Sequence, residues 1–159
     1  MVRSSRLRPV DAAVRFAGVL LDWRGTLAVA PTGAVWYVET ALRRLGRQQS
    51  GEQVRSVVDQ LHSVDHREIA SSAIDTDSAR HRAAYAAWFE AADIDSELAA
   101  ELYAVESDAT LNPFASDVGP LLRTLHAAGV RVGVVSDIHF DLRPLFAASQ
   151  TRTAAAGPT

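Results

Sequence analysis

Asp22 has the clearest chemical use of any residue in this chain. It closes the apolar run Phe16-Ala17-Gly18-Val19-Leu20-Leu21 and leads directly into Trp23-Arg24-Gly25-Thr26-Leu27. An apolar strand that ends in a carboxylate and turns at once through Gly-Thr presents that carboxylate as a nucleophile at the carboxyl edge of a parallel sheet. Arg24, two places further on, limits the chemistry. A guanidinium stays charged over the whole working pH range, so it holds an anion or pairs with Asp22 but cannot cycle a proton. Pairing would keep Asp22 ionised, and a tight pair would also block its attack.

A second apolar run, Val130-Arg131-Val132-Gly133-Val134-Val135, ends in Ser136-Asp137. The pattern before it reads as a helix opened by Ser116 or Asp117, carrying Val118, Leu121, Leu122 and Leu125, and closed by Gly129. A strand–helix–strand crossover within one sheet is parallel and right-handed as a rule. Both strands then end on one edge, and Asp22 and Ser136 meet there although they are remote in sequence.

Between the two strands the periodicity is helical. Val35, Val38, Ala41, Leu42 and Leu45 form one stripe stopped by Gly46; Val54, Val57, Val58 and Leu61 form another behind a Ser50 cap. A third helix is expected from Ser78 to Ala92, with Ala84, Tyr85, Trp88 and Phe89 on one side. A fourth, capped by Asp95 or Ser96, carries Leu98, Leu102, Tyr103 and Val105. A last short helix is expected from Asp141, as its N-cap, to Ala148. The chain thus divides into a flexible tail (1–15), an α/β core (16–32 and 111–148), a helical insert (33–110) and a loose tail (149–159).

Composition narrows the function further. The 159 residues carry a net charge of −3, which argues against nucleic acid as the main partner. No run approaches the roughly 20 apolar residues of a membrane span. There is no cysteine, so disulfides, zinc thiolates and cysteine nucleophiles are excluded, in keeping with a cytoplasmic protein. All 16 basic residues are Arg, so the chain has neither a Schiff-base lysine nor a lysine phosphate clamp.

The two strand ends resemble those of the haloacid dehalogenase-like (HAD) hydrolase superfamily. Its first motif, an apolar strand followed by Asp-x-Asp-Gly-Thr, stands here as Asp22-Trp23-Arg24-Gly25-Thr26-Leu27, and its second as Val132-Gly133-Val134-Val135-Ser136. The insert between them resembles the family's mobile cap of the first-insertion type. The resemblance implies a Rossmann-like core with a helical cap, and a phosphatase-like or dehalogenase-like hydrolase acting on a small-molecule substrate. It makes Asp22 the covalent nucleophile and gives phosphate binding to Ser136, with Asp137 beside it, and to the turn Trp23, Gly25 and Thr26. It further implies Mg²⁺ held by the Asp22 carboxylate and the Arg24 backbone carbonyl, together with an acidic residue from a later strand.

The chain departs from that pattern in two places. The family's phosphatases use a second Asp as general acid and base, and Arg24 stands at that position. Dehalogenases do without it because halide leaves unprotonated. The phosphonate-cleaving branch needs a cap lysine and is excluded. The family's third and fourth motifs, a distant Lys or Arg and an acidic cluster, are also missing from the 23 residues after Ser136. This describes a shortened form, completed by a partner chain or a second copy or else interrupted. Two readings stay open: an aspartate-nucleophile hydrolase with Arg24 as an electrostatic substitute, and a non-catalytic remnant that binds an anion or a partner.

Other chemistry-bearing residues have simpler readings. His62 and His66, four apart, suit one helix face but show no third ligand. Asp93, Asp95 and Glu97 suit a helix start. Tyr85, Trp88 and Phe89 read as cap core, and Trp36 and Tyr37 as packing or pocket lining. Asp137 and His139 read as a helix-starting loop, with tuning of a nearby anion or metal as the alternative.

Overall fold

In the computed structural model, the described residues are 16–29, 33–67, 69–71 and 74–148. The expected tails 1–15 and 149–159 lie outside them. Each apolar pattern produces the element it announces. Strand β1 is Gly18–Leu21; helices α1 (Ala34–Arg44), α2 (Gly51–Ser63), α3 (Ser78–Ala91) and α4 (Ser96–Glu106) follow; then come α5 (Val118–Ala127), strand β2 (Arg131–Val134) and a helical segment over 143–148. The fold class is α/β, with a helical insert between the two strands. No helix among the described residues is long and apolar enough to cross a membrane.

The caps are those the sequence offers. Ser50 Oγ accepts from the Gln53 amide at 3.2 Å, and Asp95 Oδ1 accepts from the Leu98 amide at 3.0 Å. Asp95 also takes two bonds from Arg47, at 2.6 and 2.9 Å, which fastens the start of α4 to the chain just after α1. Asp141 Oδ1 accepts from the Arg143 amide at 3.0 Å and opens the last helical segment. At α5, Asp117 stands at the N-cap position but makes no side-chain cap bond.

The strands pair in parallel with Gly18 opposite Arg131 and Leu21 opposite Val134. The Val135 amide donates to the Leu21 carbonyl at 3.0 Å, continuing the ladder one step beyond the strands. One face of this ribbon is covered: Leu21 and Val134 pack with Trp23, Leu27, Ala28 and Val118, joined by Phe114, Leu122, Ile138, Leu142, Leu145 and Phe146. The opposite face carries Phe16, Leu20 and Val135, all exposed.

The insert has its own core. Val38, Leu42, Leu61, Phe89, Leu98 and Leu102 are buried together, and Trp36, Tyr37, Tyr85, Trp88 and Tyr103 pack around them. Each fully buried Leu contributes about 1.5–3 kcal/mol by leaving water, so the insert is held by its own apolar stripes and not by the two-stranded ribbon.

Candidate functional site

The turn after β1 is knotted around one carbonyl. Trp23 O accepts from the amides of Leu27 and Ala28, both at 2.9 Å, and from that of Thr26 at 3.4 Å. The Gly25 amide donates to Ala28 O at 2.9 Å. Gly25 takes φ +77°, a left-handed conformation that a β-carbon would strain. These bonds commit the Gly25 and Thr26 amides inside the turn. Among the described residues the amides of Trp23 and Arg24 make no backbone hydrogen bond, which leaves them for an anion.

The side chains of Asp22, Trp23 and Arg24 face three different ways. The Trp23 side chain is fully buried, edge-on to Phe114 with ring centroids 5.3 Å apart, and its indole N–H has no hydrogen-bond partner among the described residues. It anchors the turn while its backbone stays at the sheet edge. Asp22 is exposed and makes no ion pair among the described residues. Arg24 does not turn back to Asp22: its Nη2 lies 3.3 Å from Glu106 Oε1, at the end of α4. The strand register sets Asp22 beside the extension of β2 that leads through Val135 into Ser136, so the two strand ends share an edge.

The loop after β2 faces two ways. Ile138 packs into the sheet's core cluster, and the next residue, His139, meets the insert. Its ring stacks on that of His81 from α3, with centroids 3.5 Å apart and planes 17° from parallel. Ser107 Oγ, just past α4, lies 3.0 Å from His139 Nε2, and Tyr103 Oη lies 3.3 Å from His81 Nδ1. Asp75, ahead of α3, brings Oδ1 to 3.9 Å from His81 Nε2.

These groups form one electrostatic unit around Arg24. Burial, then the neighbouring His81, then Arg24 and Arg82, push His139 down to about 4. Burial also lowers His81, and Arg24 adds to it against the pull of Asp75. Both imidazoles are therefore uncharged at neutral pH. Burial raises Glu106, with Arg24 opposing, and raises Asp75, with Asp137 adding to it. Arg24 is the cation common to all four groups, so the loop after β1 sets the charge balance where the insert meets the core.

A cavity of about 320 Å³ opens beside this junction, lined by Arg24, Trp36, Tyr37, His62, His66 and Glu106 among others. Trp36 and Tyr37 thus line a pocket as well as packing, and so do Tyr85 and Trp88. Tyr37 Oη donates to Leu102 O at 2.7 Å, and burial holds its phenol well above the ordinary value. Neither Asp22 nor Ser136 lines this cavity.

One expectation needs correction. His62 and His66 do not share a helix face, because α2 ends at Ser63 and Val64 is extended; both line the cavity instead. The sequence reading also missed Glu106, Asp75 and His81. His81 gave one signal, its position one turn before Ala84 and Tyr85 on the inward side of α3, where it is 1% exposed. Compared with protein-family models, curated proteins and solved structures, the chain gives no match.

Proposed function

We propose that the chain is a HAD-like hydrolase with a Rossmann-like core and a helical cap, acting through Asp22 on a small anionic substrate with a good leaving group. The observation that carries this reading is the parallel register, which sets Asp22 and the approach to Ser136 on one sheet edge, with the insert joined above it through Arg24 and Glu106. Asp22 Oδ attacks the phosphorus of a phosphate ester, the bond to the leaving oxygen breaks, and that oxygen departs with the electron pair. Water then cleaves the aspartyl phosphate, releasing phosphate and restoring the carboxylate. The amides of Trp23 and Arg24 and the hydroxyl of Ser136 take the charge on the transferred group. Because Arg24 cannot protonate the leaving oxygen, aryl and acyl phosphates suit the site and alkyl phosphates do not.

The donor chemistry fits Mg²⁺. Asp22 offers an exposed carboxylate with no ion-pair partner among the described residues, and the Arg24 carbonyl is not used in the turn. Mg²⁺ takes one or two carboxylates and keeps several waters, so Asp22, the Arg24 carbonyl and Asp137 would hold it. Bound there, it supplies charge neutralisation to the phosphoryl oxygens.

Steady-state turnover of p-nitrophenyl phosphate with Mg²⁺ tests the reading. Asp22→Asn abolishes it, and Arg24→Asp extends activity to alkyl phosphates. Turnover that survives Asp22→Asn refutes the nucleophile. The second reading, a non-catalytic anion binder, is favoured by one observation: the cavity includes Arg24 but neither Asp22 nor Ser136. Saturable phosphate binding without turnover, lost in Arg24→Met, establishes it.

A further inference from the structure

We propose that Asp75, His81 and His139 form a site for a first-row divalent ion of the Zn²⁺, Co²⁺ and Ni²⁺ class, and that the ion fastens the helical insert to the loop after β2. One ligand atom from each residue lies within 4.8 Å of the others. The site does not depend on Asp22 being a nucleophile, so it stands or falls separately from the hydrolase reading.

The ligand set selects the ion. Two imidazole nitrogens and one carboxylate oxygen suit borderline ions and are poor for Mg²⁺, which prefers oxygen throughout. Three protein ligands leave a fourth position for water, an open arrangement. The second ring nitrogens are already oriented: Tyr103 Oη sits at His81 Nδ1 and Ser107 Oγ at His139 Nε2. Such outer hydrogen bonds fix the tautomer and leave the other nitrogen of each ring as the ligand atom. His81 is 1% exposed and half-buried Asp75 stands 3.9 Å from it, so the ion would supply the positive charge that this carboxylate lacks at hydrogen-bond distance among the described residues.

Two features show what binding must change. In a tetrahedral site with bonds of about 2.0–2.1 Å, ligand atoms stand about 3.3 Å apart, so the group has to contract. Rings stacked 17° from parallel also cannot both aim a lone pair at one ion. His139 lies on a loop between β2 and the helical segment over 143–148, and its ring turns out of the stack to ligate. Asp75 and His81 belong to the insert and His139 to the core loop, so the ion spans the two and holds the insert down over Arg24.

The test uses the full chain and Co²⁺ or Zn²⁺ alone. Titration with Co²⁺ gives one equivalent bound, with the visible bands of a four-coordinate ion and a dissociation constant of about 1 µM or tighter. Zn²⁺ raises the melting temperature. His139→Ala, whose unchanged far-ultraviolet circular dichroism shows that it folds, loses both effects, and Asp75→Asn weakens both. Tyr103→Phe and Ser107→Ala reduce affinity about 10–100-fold. His62→Ala and His66→Ala leave binding unchanged. Absence of saturable binding overturns the proposal, as does binding that survives His139→Ala or that is lost in His62→Ala instead.

Discussion

Arg24 Nη2 stands 3.3 Å from Glu106 Oε1, so the turn that follows β1 is tied to the end of α4 by one ion pair. The guanidinium is nearly half exposed, and Glu106 sits deeper, with a side chain 21% exposed. The two partners therefore differ in what their loss leaves behind.

Arg24→Met strands a carboxylate that burial already disfavours, whereas Glu106→Gln leaves a cation that reaches water. Arg24→Met is expected to cost about 1–2 kcal/mol and Glu106→Gln less than about 1 kcal/mol, since a half-exposed pair is itself weak. Urea unfolding at pH 7 measures both. Glu106 is raised by burial, so the stranded carboxyl takes up a proton as pH falls, and the Arg24→Met deficit shrinks on acidification. Equal costs for the two variants would show that Glu106 is not the constrained partner.

The two strand glycines predict opposite outcomes for one chemical change. A β-carbon on Gly18 would lie 3.1 Å from the Arg131 carbonyl oxygen, which the ladder holds in place. A β-carbon on Gly133 would meet Leu20 Cδ2 at 2.8 Å, the end of a side chain that is exposed and free to rotate away. Gly18→Ala is expected to destabilise by about 1 kcal/mol or more through a backbone shift. Gly133→Ala is expected to be neutral or to stabilise by up to about 1 kcal/mol through the lower entropy of the unfolded chain. Melting temperatures of the two variants, compared with the parent, decide this.

His139 gives the junction a pH dependence. It titrates near 4 in the folded chain against an ordinary value of 6.5. Between those values the unfolded chain binds the additional proton, so the contribution to stability is full above about 6.5 and is lost as pH falls toward 4. His81, also lowered, acts in the same sense, while Asp75 and Glu106, both raised, act in the opposite one. The expected outcome is therefore a difference of slopes. Between pH 7 and 4.5, with chelator present, the melting temperature of the parent falls more steeply than that of His139→Gln. Parallel slopes would show that the stacked ring carries no proton-linked stability.

The helices were legible because their signals are local. A stripe such as Val54, Val57 and Leu61 behind Ser50 states its own phase and start, and α2 has that phase and that cap. The strands were legible in existence and direction for a similar reason: each is a short apolar run, and the crossover rule makes the pairing parallel; the register, Gly18 opposite Arg131, came from the structure. The junction was not legible. Asp75, His81, Glu106 and His139 have no common spacing; they come from four segments that meet only when α3 and α4 pack over the loops following the strands. Arg24 shows the limit most plainly. Its position two residues after Asp22 left a local pair or an anion as its partner, yet the turn built on Trp23 O carries its side chain away from the strand end and toward Glu106 of α4.

The placement of Trp23 gives the molecule a built-in optical label. Of the three indoles, Trp36 and Trp88 pack with the insert, and Trp23 alone sits with Phe114 and Phe146 under the strands. A fully enclosed indole without a hydrogen bond emits at short wavelength, so its fluorescence separates what happens beneath the strands from what happens in the insert.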